Sequence, residues 1–209
     1  MRWLLLLLLL APPALAAPTL QLSGQESFPS PNELSLRLGY QASFGAALGN
    51  PSGFLLALGV SRHLEGPIWF DAQLINVFGG ASAGVGGGCY DAVGTPTPCS
   101  IGGGSSMGLA AGLELRLSRL FTLPIVLEVP LLVGADLLYG RECGDVAVGI
   151  GLRPGARARW FLLPNLGVGV GVGLLLGGAR HGAGDCHPTA GFVDFYGGFD
   201  IDLGGEWVF

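Results

Sequence analysis

The chain has 209 residues, of which 50% are hydrophobic and only 12% charged, with a formal net charge of -5. The acidic balance argues against a nucleic-acid partner, and the apolar content excludes a disordered low-complexity chain in spite of 38 glycines. High glycine with high apolar content and few charges leaves a membrane protein or a fibrous one, and with no lysine present the fully charged bases are all arginines.

The chain opens with Met1-Arg2, Trp3 and the apolar run Leu4 to Leu10, followed by Ala14-Leu15-Ala16. A charged start, a short apolar run and a small-x-small site predict a secretory signal peptide over residues 1–16. The run is too short to cross a bilayer. No cysteine stands at the cleavage site, so a lipoprotein signal is not expected. Residues 17–32 are polar and proline-bearing and read as an irregular lead-in. Residues 33–209 are enough for one all-β domain of barrel size.

From Leu34 onward the chain alternates with period two. Leu34, Leu36, Leu38, Tyr40, Ala42 and Phe44 share one face, with Ser35, Arg37, Gly39, Gln41 and Ser43 on the other. Asn50-Pro51-Ser52-Gly53 makes a turn. Phe54 to His63 is the second strand, Glu65-Gly66-Pro67 a tight turn, and Ile68 to Phe78 the third strand, with a candidate bulge near Asn76. A glycine-rich loop over 79–105 holds Cys89 and Cys99. Met107 to Ser118 alternates without a fault. Ile125 to Tyr139 is the fifth strand, in which Pro130 is a blemish for a central position. Val146 to Trp160 carries Arg153, Arg157 and Arg159 on its less apolar face. Leu166 to Leu176 follows, its second face almost pure glycine, and then a polar loop over 177–190.

The closing strand, Val193 to Phe209, alternates over its full length. Phe195, Phe199, Ile201, Leu203, Trp207 and Phe209 lie on one face, and Asp194, Tyr196, Asp200, Asp202 and Glu206 on the other. Such a strand, ending on an aromatic residue, resembles the last strand of a bacterial outer-membrane β-barrel. The resemblance implies that Trp207 and Phe209 belong to a signal read by the barrel-assembly machinery. Eight strands of crossing length, joined alternately by short turns and longer loops, predict an all-β, eight-stranded antiparallel up-and-down transmembrane barrel, similar to the small barrels of the outer membrane protein A/X type. Both termini are expected in the periplasm. Helical spans, for example over Phe161 to Gly178, fit the glycine/valine alternation badly, and Glu128, Asp136 and three arginines interrupt the neighbouring candidates. A secreted β-sandwich should show Lys, Thr and Ser on its second face, where this chain has Gly, Ala and paired charge.

In that topology the loops 46–53, 79–105, 140–145 and 177–190 face outward and hold all four cysteines. Cys89 and Cys99 share one loop, and Cys143 and Cys186 flank neighbouring strands, so two disulfides are expected. A metal site from His181, Asp185, Cys186 and His187 is the weaker reading, because the cluster has no recognised spacing.

The inward face collects Arg37, His63, Asp71, Glu114, Arg116, Glu128, Arg153, Arg157, Arg159, Asp200, Asp202 and Glu206 in its periplasmic half. Charges in so narrow a bore must pair or stay wet, so a charge-plugged lumen is expected. The outward half is lined by small residues (Gly108, Ala110, Gly112, Ala147, Gly149, Gly151, Gly167 to Gly173), with Gln41, Ser43, Asp136, Asp194 and Tyr196 as polar exceptions. It forms a candidate cup, unless the glycines merely let the strands coil. No phosphate loop, dinucleotide fingerprint, HExxH or GxSxG is present. Some barrels of this kind modify lipid A, and Asp136, Asp194, Ser43 and His187 could be recruited to such a site, but no motif supports it. The expected protein is a non-enzymatic monomer without cofactor, in contact with outer-membrane lipid, with a structural or surface-interaction role. The alternative binds or passes a lipid or small apolar ligand through the cup.

Overall fold

A computed structural model describes residues 32–45, 52–79, 89–90, 96–97, 104–118, 125–140, 146–163, 165–181 and 193–209. Its strands are β1 (Asn32–Gly45), β2 (Gly53–Glu65), β3 (Ile68–Gly79), β4 (Cys89–Tyr90), β5 (Pro96–Thr97), β6 (Gly104–Ser118), β7 (Ile125–Gly140), β8 (Val146–Leu163), β9 (Leu166–His181) and β10 (Val193–Val208). Eight of them close into one barrel in the order β1-β10-β9-β8-β7-β6-β3-β2, all antiparallel, and β4 pairs with β5 as a separate two-residue hairpin. This is the predicted eight-stranded up-and-down barrel.

Period two decides which way each side chain points. On β7 buried and exposed residues alternate from Glu128 to Tyr139. The outer wall carries large apolar side chains, among them Leu109, Ile150 and Leu203, each about two-thirds exposed. The buried polar set, including Arg37, Asp71, Glu114, Glu128 and Arg159, faces in. The outer wall has aromatics at both ends: Phe44, Phe78, Tyr139 and Phe195 toward the loops, and Trp160, Trp207 and Phe209 toward the chain termini. An apolar exterior with aromatic belts around a charged interior inverts a water-soluble barrel and matches a lipid-facing one.

The termini meet at one end. Asn32 accepts a hydrogen bond from the Phe209 backbone N–H at 3.0 Å, and Val208 donates to the Asn165 carbonyl at 3.0 Å. At the same end Gly66 turns the chain between β2 and β3 with φ of 55°, and a Cβ there would meet nothing within 4 Å. Gly66→Ala is therefore expected to cost only the left-handed backbone penalty, about 1–2 kcal/mol, read as a lower urea midpoint with unchanged slope. Gly39 is glycine for a different reason: a Cβ there would collide with the Ile201 carbonyl oxygen on β10.

Four expectations need correction. β9 does not stop at Leu176 but runs to His181, because Gly177 and Ala179 keep the inward phase under the side chain of Tyr196 and pair across to β8 and β10. β8 likewise extends past Trp160 to Leu163. The β2–β3 register passes unbroken through Asn76, and the shifts fall instead at His63/Glu65 and Phe161/Leu163, next to the turns. Gly167 to Gly173 do not belong to the loop half; they pair with Glu206, Gly204, Asp202 and Asp200 in the charged half.

Pro130 and Pro154 are accommodated at a visible cost to the ladder. Pro130 pairs with Glu114 on β6, but toward β8 the pairing jumps from Glu128↔Arg157 to Leu131↔Pro154. Pro154 keeps that pairing to β7, but toward β9 the ladder jumps from Leu152↔Leu176 to Gly155↔Gly173. The register is the same on both sides of each gap. Each proline lacks the N–H that one neighbour requires.

Candidate functional site

The interior is the only part of the described structure where charged side chains converge in numbers. Its terminal end is built around two arginines. Arg159 on β8 is 1% exposed. It reaches Glu33 on β1 at 2.9 Å, Glu206 on β10 at 2.6 Å, and Glu128 on β7. Arg116 on β6 reaches the other oxygen of Glu33 at 2.7 Å, Glu114 at 2.5 Å and Glu128 at 3.6 Å. Glu33 thus links two arginines across the bore. Trp69, fully buried, presents its ring to the Arg116 guanidinium at 3.7 Å and also packs against His63, with centroids 5.1 Å apart. A guanidinium stacked on tryptophan keeps its in-plane N–H groups free for carboxylates.

Next toward the loops, Arg157 lies 3.5 Å from Glu114 and 3.9 Å from Asp71. Asp71 also accepts hydrogen bonds from the Ser61 hydroxyl at 3.2 Å and the Gln73 amide. At mid-barrel Arg37 contacts Asp202 at 3.5 Å. Glycines on β9 give these long side chains room, since a Cβ at Gly171 would sit 2.8 Å from Arg157 Cγ and one at Gly167 2.8 Å from Arg159 Cδ.

The loop end is closed differently. Tyr196, fully buried, donates its hydroxyl hydrogen to Asp136 at 2.6 Å, and Arg153 donates to the other Asp136 oxygen at 2.6 Å. The Tyr196 ring lies over Gly149 and Gly177, with its hydroxyl near Gly151, and packs with Leu138, Ala147, Leu175 and Ala179. A second apolar layer of Leu55, Ala57, Ile75, Val77, Ala110 and Leu132 fills the bore beside it.

The structure therefore places Arg37, Asp71, Glu114, Arg116, Glu128, Arg157, Arg159, Asp202 and Glu206 in ion pairs near one another. Arg153 pairs instead with Asp136, a residue assigned from the sequence to the cup. Among the described residues no salt bridge includes Asp200. Of the cup residues, Asp136 and Tyr196 are bonded to each other, and Gln41 donates to Ser43 at 3.1 Å. Asp194 pairs with Ala179 through the backbone, and its side chain lies outside the described residues. So do Cys99, Cys143, Cys186, Asp185, His187 and the side chains of Cys89 and His181. Trp207 and Phe209 are more than half exposed on the outer wall. Among the described residues no group of three or more His, Cys, Asp or Glu could hold a metal ion.

Two interior residues escape the sequence reading. Glu33 has the parity of Ser35 and Arg37, which places it inside, but it stands at the edge of the expected domain. Trp69 shares the face of Asp71 and Gln73, so parity places it inside, but nothing in the sequence shows that its ring stacks on Arg116.

The chain matches no family model and no curated protein sequence. Its fold is similar to that of two solved outer-membrane structures. Neisserial surface protein A superimposes with a TM-score of 0.56 at 10% identity, over 85% of this chain and 97% of that one. A major outer membrane protein from Thermus thermophilus gives 0.51 at 16% identity, over 85% of this chain and 99% of that one. At such identities the likeness establishes the shared small-barrel architecture.

Proposed function

We propose that the chain is an integral outer-membrane barrel, non-enzymatic, whose interior is closed by paired charge and whose role is structural or at the cell surface. One observation carries this reading: Arg159 and Glu33 lie on strands separated by two others in the barrel, and their ion pair spans the bore with both side chains at most 3% exposed. A pore built for diffusion keeps its lumen wet. A barrel whose charges are neutralised by partners on opposite walls stiffens the wall and blocks passage.

In this reading the termini lie in the periplasm, the loops face outward and carry Cys89–Cys99 and Cys143–Cys186 disulfides, and the assembly machinery reads Trp207 and Phe209 on the outer wall. Barrel closure leaves no unpaired edge to recruit a second copy, which favours a monomer. The alternative, a loop-end cup for a lipid or small apolar ligand, fits less well, because the Tyr196 ring occupies the space over Gly149 and Gly177.

The test is conductance of the oxidised mature chain in a planar bilayer. The wild type is expected to be silent. Arg157→Ala is expected to lower stability and to introduce leak, since Glu114 and Asp71 lose a partner. Stable, salt-dependent steps in the wild type would overturn the plug and make the protein a small channel.

A further inference from the structure

The interruptions at Pro130 and Pro154 coincide with a chamber inside the barrel. A cavity of about 40 Å³ lies at mid-barrel, lined by both prolines, Gly155 and Gly173 from the interrupted ladders, and by Arg37, Arg153 and Asp200 among its polar groups. By volume it holds roughly one to three water molecules. Arg37 is 4% exposed, yet its Nε and Nη2 have no hydrogen-bond partner among the described residues, and neither does Arg153 Nε. Asp200 lines the same cavity and enters no salt bridge among the described residues.

Three features meet at one place: buried guanidinium N–H groups without acceptors among the described residues, a carboxylate outside every salt bridge among them, and strand backbone without its ladder. In a lipid-covered wall, backbone groups released from pairing must be satisfied from inside. We infer that the chamber binds a cluster of structural water that bridges Arg37 and Arg153 to Asp200 and caps the backbone at both proline gaps. Water meets the requirement where a dry contact does not, since the site is polar, roomy enough for it, and offers each molecule several partners. An ordinary anion is less suited, because Asp200 and Asp202 both line the cavity. The inference goes beyond the plugged-barrel reading and rests on its claim that lipid covers the wall.

The test is nuclear Overhauser transfer from water in the mature chain in lipid nanodiscs, labelled with ¹⁵N. Transfer to the Arg37 and Arg153 Nε–H groups and to backbone amides among residues 153–156 is expected. In Pro130→Ala, which restores the donor missing from the β7–β8 ladder, transfer to the gap amides of Gly155 and Ala156 should be lost while that to Arg37 Nε–H remains. Absence of transfer to Arg37 and Arg153 would overturn the site, and gap-amide transfer unchanged in Pro130→Ala would overturn the capping. An anomalous bromide peak in the chamber of soaked crystals would replace water by an anion. A chain that stays outside the nanodiscs would instead defeat the membrane reading on which the inference stands.

Discussion

Arg159→Ala is expected to destabilise the barrel by about 3–5 kcal/mol, the range for breaking a buried ion pair by removing one partner. The upper end is the better expectation here, because one guanidinium serves Glu33, Glu128 and Glu206 together. Its loss leaves Arg116 as the remaining arginine in contact with Glu33 and Glu128, and Glu206 with no ion-pair partner among the described residues. A hydrophobic replacement of similar volume should do no better, since the carboxylates remain. Equilibrium urea unfolding in lipid bilayers reads the effect. Glu206→Gln in the Arg159→Ala background should recover part of the loss, because it removes one of the uncompensated charges. A cost of under about 1 kcal/mol would place the cluster with solvated ion pairs, and the interior would then have to be wet at its terminal end.

That residue also shows how much of the molecule can be read from the chain alone. The strands are legible because one signal, parity, determines both secondary structure and sidedness: Arg157 and Arg159 fall on the same face as Gly149 and Gly151 whatever the tertiary contacts. Parity says nothing about register between strands. It therefore groups Arg153 with Arg157, yet the barrel carries Arg153 to Asp136 on the neighbouring strand. Loop limits are legible only where turn residues stand out. Gly177 to His181 looks like a loop by composition, but Gly177 makes room there for the Tyr196 ring. Pro130 shows in the sequence as a blemish, but the gaps that it and Pro154 leave in two ladders depend on which neighbour each faces, a fact of assembly and not of composition.

The same packing makes a prediction with opposite outcomes at two neighbouring glycines. Tyr196→Ala is expected to cost about 3–5 kcal/mol, as for a large buried aromatic, because it empties the loop-end layer of Leu138, Ala147, Leu175 and Ala179 and strips Asp136 of a donor. Gly149→Ala in the wild type should cost about 1–3 kcal/mol by overpacking, since the three atoms nearest the added Cβ are Tyr196 ring and hydroxyl atoms, at 2.7–2.8 Å. In the Tyr196→Ala background that obstacle is gone, so Gly149→Ala should become nearly neutral. Gly177→Ala should not be rescued in this way. Its Cβ would meet the Tyr196 ring at 2.5 Å but also the Ile150 carbonyl oxygen at 2.6 Å, and the backbone stays when the ring is removed. A double-mutant cycle on unfolding free energies separates the two glycines. Equal coupling of both to Tyr196 would mean that the strands shift apart as a unit, and would sink the view that this layer is closed by a single ring seated on glycine.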